Sequence, residues 1–296
     1  MANIAGLVIA AALLVVSACG EEKNATDQLV MENGSPVMSV PVSINLGEMG
    51  PSFAKRYPGM VRVQHQPAGL DFYEIIWNSR NFGEVRINHA KHSFVVERVL
   101  ALLSSQDLGE FEGDGLDSFS IRAAIGSSEL ISHDQARLVI YKILGRILDA
   151  GWRPTTPRSR PRLSGQARID YVLNVSSSIG LDATHIPTYD EWIRIENRTS
   201  WGFYADGIFM DVTFTRAPTL TDPAKPGAYF LTYRIETAQE YFRSFAGPDN
   251  RIRWKEVLAQ ELAKVAAVRA QKEAELRVKG IRIDESYQDP PAPKFD

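Results

Sequence analysis

The chain contains little cysteine: Cys19 is the only one among its 296 residues. A disulfide within one molecule needs two thiols, and cysteine-rich zinc sites need several, so neither can stabilise this fold. A G-x-S-x-G motif is also absent, and no cysteine beyond residue 19 could act as a nucleophile. These absences exclude a disulfide scaffold and a thiol-dependent enzyme in the body of the chain. The fold must therefore depend on its apolar core.

A large excess of charge of either sign is also lacking. The 33 lysines and arginines stand against 36 aspartates and glutamates, which gives a formal net charge of −3 and a pI near 6.0. Nucleic-acid-binding domains are usually strongly basic because they neutralise phosphates, so the composition argues against a nucleic-acid partner. Hydrophobic residues make up 44% of the chain, which suits one or two globular domains with ordinary cores.

The apolar run at the start of the chain is followed at once by small and then polar residues. It extends from Ile4 to Val16, and the polar segment begins at Glu21. A membrane-spanning helix needs about 20 apolar residues, and this run is shorter. An apolar region that ends in small residues is typical of a cleaved signal peptide.

The four residues Val16-Ser17-Ala18-Cys19 resemble the lipobox of bacterial lipoproteins. The resemblance covers only the leader. It implies that residues 1–18 are removed, that Cys19 is fatty-acylated, and that the protein is anchored in the cell envelope and faces the periplasm. Two or more acyl chains hold a protein stably on a membrane. Gly20, where an aspartate would mark retention in the inner membrane, favours the outer membrane.

The rest of the sequence predicts an α+β protein of two small domains, each an antiparallel sheet or meander covered by helices and joined by a Pro/Arg-rich linker. Runs rich in β-branched and aromatic residues predict strands, and Ser132 with Gln135 and Thr188 with Glu191 predict helix N-termini. Asp206-Gly207 predicts a tight hairpin. The predicted division is a signal peptide at 1–18, a flexible tether at 19–39, a first domain at 40–154, the linker at 155–165, a second domain at 166–286, and a disordered tail at 287–296.

Two motifs of catalytic or metal-binding type are incomplete. Ser52 and Lys55 have the S-x-x-K spacing, but the companion S-D-N and K-T-G elements are absent. His89 and His92 lack a third converging ligand and the i, i+4 spacing of a helical zinc pair. We predict neither a metal nor a cofactor.

An acidic segment at residues 110–117 is the best candidate for binding another molecule. Its oxygens alternate as in a calcium loop, but the twelfth position is Ile121 and not the glutamate that such a loop requires. We predict a solvated acidic loop that could bind a protein partner. The candidate contact residues are Glu110, Glu112, Asp114 and Asp117.

Three functions are consistent with these features. The first is a non-enzymatic envelope lipoprotein that binds another protein. Its layout resembles that of the immunity lipoproteins that protect bacteria against type VI secretion toxins, and this resemblance implies a toxin effector as partner. The second is an envelope hydrolase that uses carboxylates such as Glu74, Asp206 and Asp211. The third is a structural component of an envelope complex, joined through the long charged helix that ends near Val278.

Overall fold

The computed structural model describes residues 41–126 and 128–295. The predicted signal peptide, the acylation site Cys19 and the whole of the predicted tether lie outside these residues. Within the described ranges, no helix has both the length and the apolarity required to cross a membrane.

The described residues form strands and helices in alternating groups. The strands are β1 (Val42–Ile44), β2 (Arg62–Gln66), β3 (Leu70–Ile76), β4 (Gly83–Ile87), β5 (Phe94–Asp107), β6 (Ser118–Ala124), β7 (Arg153–Thr155), β8 (Ser200–Ala205), β9 (Ile208–Arg216) and β10 (Tyr229–Thr237). The α-helices are α1 (Gly50–Arg56), α2 (His133–Asp149), α3 (Gly165–Asn174), α4 (Tyr189–Arg194), α5 (Ala238–Arg243) and α6 (Trp254–Val278).

All ten strands belong to one sheet. The main order is β1-β4-β5-β6-β10-β9-β8-β7, and β2 joins through β3, which pairs with β5. The pairing of β6 with β10 places Ile121 opposite Tyr233, so strands of both predicted domains lie side by side. The α+β class is confirmed, whereas the division into two domains is not confirmed. The pairing joins residues far apart in the chain, and local periodicity carries no information about such contacts.

Helix α2 covers one face of this sheet. Ser132 accepts a hydrogen bond from the backbone N–H of Gln135 at 3.2 Å, which is half of the predicted capping box and fixes the start of the helix. Ile140, Leu144 and Ile147 repeat at helical spacing and are buried against the sheet. The predicted hairpin is also present, because β8 and β9 pair around Asp206-Gly207.

The segments predicted as a linker and as a disordered tail pack against each other and against α6. The Thr156 backbone N–H donates to the Tyr287 hydroxyl at 2.9 Å, and Arg162 forms an ion pair with Glu273 of α6 at 2.7 Å. Arg269 of α6 holds Asp289 at 2.6 Å. Arg158 and Arg162 of the predicted linker thus have acidic partners more than a hundred residues later in the sequence. Local composition carries no information about such distant partners.

Candidate functional site

The two edges of strand β5 are used to different extents. On one edge β4 and then β3 pair with it, so that Val96 lies opposite Val85 and Ala101 opposite Ile76. On the other edge β6 pairs only with residues 99–104. Residues 94–98 therefore present, on this second edge, backbone groups without a strand partner among the described residues.

Helix α2 lies across from this free edge. Side chains spaced three and four residues apart form the face of the helix that borders this edge. They are Val139, Lys142, Ile143, Arg146 and Ile147. The helix face, residues 94–98 and the end of β6 enclose a groove of about 430 Å³, which we call the α2 groove. Its volume falls in the range of roughly 300–1,000 Å³ that is usual for ligand-binding sites.

The α2 groove is lined by the edge of β5 as well as by its face. Successive side chains of a strand point to opposite faces, so one face alone would contribute only alternate residues. All five consecutive residues 94–98 border the groove, so it lies at the edge of the strand. In a strand, alternate residues direct both N–H and C=O towards the same edge. No backbone hydrogen bond within the described chain satisfies the groups of 94–98 on this side. Such an edge can pair with an extended peptide.

A distortion at Arg98 separates β5 from β6. Arg98 has a backbone φ of 56°, which is rare for a residue with a side chain. The registers of both neighbouring strands shift next to it, between Gly83 and Val85 and between Val99 and Ala101. β-Bulges of this kind bend a strand and redirect its side chains. The irregularity thus ends the pairing with β6 and places Arg98 on the wall of the α2 groove.

The polar side chains of the α2 groove give it a positive charge. Three of them are the cations Arg98, Lys142 and Arg146, and the only carboxylate among the lining residues is Glu97. Glu97 accepts a hydrogen bond from Arg146 at 3.1 Å, but both side chains are about half exposed, so this pair contributes only about 0–1 kcal/mol. Arg98 and Lys142 form no ion pair within the described residues.

Tyr233 also lines the α2 groove. The residue as a whole is 3% exposed, but its hydroxyl oxygen is not among the buried atoms that lack a hydrogen-bond partner, and no described residue bonds to it, so the oxygen keeps some accessible surface. Burial raises the pKa of this phenol, so at neutral pH the hydroxyl stays protonated and can donate. An acceptor atom of a ligand in the groove can therefore take this hydrogen bond.

The predicted acidic loop lies between β5 and β6, and the structure divides its four candidate residues into two pairs. The guanidinium of Arg243, with no exposed surface, forms ion pairs with Asp114 and, at 3.4 Å, with Asp117. These two carboxylates are therefore paired inside the molecule and are only partly exposed. Glu110 and Glu112 are exposed and form no ion pair within the described residues. Arg243 lies 126 residues from Asp117, so no local pattern predicts this network.

The network around Arg243 also changes the acidity of Asp117. Burial is the main cause that raises its pKa to about 6, and the negative charges of Glu240 and Asp114 act in the same direction. Arg243 and Arg251 lower the pKa but do not compensate for the burial. Phe111 stacks on the Arg243 guanidinium at 3.7 Å. These contacts hold the acidic loop in one arrangement.

His89 and His92 connect parts of the fold. His92 contacts the Asp206 carboxylate through Nε2 at 3.1 Å and the Ala150 carbonyl through Nδ1 at 2.9 Å. His89 contacts the Ala205 carbonyl through Nε2 at 2.9 Å. Among residues 41–126 and 128–295, no group of three or more potential ligands converges in a way that could hold a metal ion.

The carboxylates considered for a hydrolase do not lie together. Glu74 is on β3 and Asp211 is on β9, with β5, β6 and β10 between them. Neighbouring strands are about 4.8 Å apart, so four spacings separate these residues by roughly 19 Å along the sheet. Paired carboxylates of glycosidases lie about 5–10 Å apart. Asp206, the third candidate, is at the β8–β9 turn, where it contacts His92.

Comparison with known proteins gives this chain no relatives from which a site could be transferred. No family model matches it, and the searches of curated proteins and of solved structures gave no match either. The α2 groove is therefore interpreted from its own geometry.

Proposed function

We propose that this chain is a non-enzymatic, lipid-anchored protein of the bacterial cell envelope that binds another protein in the α2 groove. The observation that carries the proposal is the free edge of β5 facing the helix α2. In strand addition, main-chain hydrogen bonds to such an edge give affinity, and side-chain contacts on the neighbouring wall give specificity. A groove with a strand edge on one wall and a helix on the other provides both.

The anchoring part of the proposal is supported by the lipobox-like residues Val16 to Cys19. Acylation at Cys19 would place residues 41–295 on the periplasmic side of the outer membrane. Mass spectrometry of the protein isolated from membranes tests this, and we expect an N-terminal acylated cysteine. An unmodified thiol behind an intact leader would contradict it.

The narrower part of the proposal is that the partner is a secreted antibacterial toxin, so that the chain acts as an immunity protein. Its support is the envelope-lipoprotein layout, together with the exposed Glu110 and Glu112 on a loop that Arg243 holds in place. Such a preorganised acidic loop would lose little conformational entropy when it binds a basic active site. The test is co-purification with the product of an adjacent toxin gene, and absence of any such complex would contradict it.

The binding role of the α2 groove can be tested in cells. A photo-reactive residue in place of Glu97, which lines the groove and is about half exposed, is expected to form an adduct with one specific protein. The substitution Val139→Trp, which fills the groove, should abolish that adduct. Leu138→Trp is the matched control, because Leu138 directly precedes Val139 in the helix, is 47% exposed and does not line the groove. An adduct that survives Val139→Trp would refute binding in the groove.

A further inference from the structure

We infer that the segment bound in the α2 groove is an extended acidic peptide, which adds as a strand to residues 94–98 and directs its carboxylates to Arg98, Lys142 and the Tyr233 hydroxyl. This inference rests on the proposed protein-binding function and adds the chemistry of the partner segment.

The length of the free edge limits the length of the bound segment. Residues 94–98 are the part of β5 that lies beyond its pairing with β6. At about 3.3 Å per residue they span roughly 16 Å, which matches an added strand of about five residues. A helix does not fit this role, because its backbone groups are already paired within the helix. The segment that binds must therefore be extended.

The charged side chains of the α2 groove that form no ion pair within the described chain, Arg98 and Lys142, are donors only. Arginine and lysine have no acceptor atoms, and the protonated Tyr233 hydroxyl offers its hydrogen. Side chains that complement them must accept hydrogen bonds, and ionised aspartate and glutamate are the acceptor-only side chains. Arg98 comes from the strand wall, where its guanidinium also lies 6.0 Å from the centre of the Phe82 ring, and Lys142 comes from the helix wall, so an added strand has a cation on each of the two walls.

The backbone edge distinguishes a peptide from a small anion. The free edge of β5 presents N–H and C=O groups in alternation, and a peptide backbone supplies the complement of both. A small carboxylate or a phosphate supplies acceptors only, so the C=O groups of the edge would stay unpaired. The combination of a strand edge with donor side chains therefore favours a peptide that carries acidic residues.

The test uses the full-length acylated protein in detergent micelles and four probes. The first probe is a capped five-residue peptide that alternates glutamate with valine, and the second has glutamine in place of each glutamate. The third is the glutamate peptide N-methylated at alternate residues, which cannot form the strand hydrogen bonds. The fourth is glutarate, a small dicarboxylate. Affinities are measured by calorimetry at two salt concentrations, because screening weakens exposed ionic contacts.

The glutamate peptide is expected to bind about 10-fold more tightly than the glutamine peptide, and its affinity should fall as salt is raised. The N-methylated peptide and glutarate should bind at least about 10-fold more weakly than the glutamate peptide. Lys142→Ala and Tyr233→Phe should each weaken the glutamate peptide by about 3–10-fold. Lys264→Ala, which changes an exposed lysine of α6, is the control and should have no effect.

Each contrary result has a separate meaning. Equal binding of the glutamine and glutamate peptides would overturn the acidic character but leave the proposed function in place. Equal binding of the N-methylated peptide or of glutarate would show a simple anion site and overturn strand addition. If no peptide binds while Val139→Trp still abolishes the cellular adduct, the acidic strand is refuted and the groove remains the binding site. If that substitution has no effect, the proposed function itself fails.

Discussion

The replacement of Asp117 by asparagine tests whether the ionised carboxylate of Asp117 lowers the stability of the folded protein. The carboxyl of Asp117 is largely buried, and its pKa in the folded protein is about 6 instead of the ordinary 3.8. A carboxyl whose folded pKa is raised binds its proton more tightly in the folded state. Its contribution to stability is therefore greatest when it is protonated and is lost as the pH rises from about 4 through 6.

The change in the free energy of unfolding follows from the pKa shift of Asp117. A difference between 3.8 and about 6 corresponds to about 3 kcal/mol, at roughly 1.4 kcal/mol for each pKa unit. Between pH 4 and pH 7.5 the part that develops is about 2–3 kcal/mol. Asparagine has nearly the same shape and does not ionise, so Asp117→Asn removes this cost. The contact that it weakens is the long one to Arg243, at 3.4 Å, and Asp114 and Glu240 remain to pair with Arg243.

The assay is urea unfolding of the wild type and of Asp117→Asn at pH 4 and at pH 7.5. We expect the variant to gain about 2–3 kcal/mol relative to the wild type on going from the lower to the higher pH. The comparison within each pH cancels the titration of groups that do not interact with Asp117. A difference between the two proteins that is the same at both pH values, or that changes in the opposite direction, would refute the argument that burial dominates at Asp117.

Three further predictions concern stability, each measured as a free energy of unfolding in urea. Arg243→Met should lower the free energy of unfolding by about 3–5 kcal/mol, because the carboxylates around this buried cation lose their partner. The control Arg253→Met changes an exposed and weakly paired side chain and should change this free energy by less than about 0.5 kcal/mol. Gly115→Ala should lower the free energy of unfolding by more than about 2 kcal/mol, because the glycine has a φ of 61° and a Cβ would lie 2.6 Å from a backbone carbonyl oxygen. Gly113→Ala in the same loop is the control and should be nearly neutral, because a Cβ there meets nothing within 4 Å. Similar losses for both variants would contradict this explanation. Gly145→Ala should raise the free energy of unfolding by about 0.5–1 kcal/mol, because the added methyl group enters open space inside a helix that glycine weakens, and a loss of stability would show that the space is not free.

Local signals in the sequence predicted the elements that depend on neighbouring residues. Ser132 and Gln135 marked the start of α2, and Asp206-Gly207 marked the β8–β9 hairpin. Thr188 and Glu191 form the reciprocal capping box expected at the start of α4. In each case the hydrogen bonds that define the feature join residues a few positions apart, so the pattern contains the whole interaction.

The α2 groove depends on contacts that no local pattern contains. The spacing of Lys142 and Arg146 places them on one face of α2, but it does not indicate which strand that face approaches. The end of the β5–β6 pairing near Arg98 results from a bulge, and its neighbours gave no turn or glycine signal at that position. The acidic loop also depends on a distant contact, because Arg243 pairs with Asp114 and Asp117 and leaves Glu110 and Glu112 exposed.

By itself the sequence determined the class of the fold, the start of α2 and the hairpin turn at Asp206-Gly207. These features follow from hydrogen bonding and from apolar periodicity over a few residues. Only the tertiary structure decided that β6 pairs with β10, that a free strand edge faces α2, and that Asp114 and Asp117 are bound internally. Those outcomes depend on which distant segments bury surface against each other, and a one-dimensional pattern does not fix that choice.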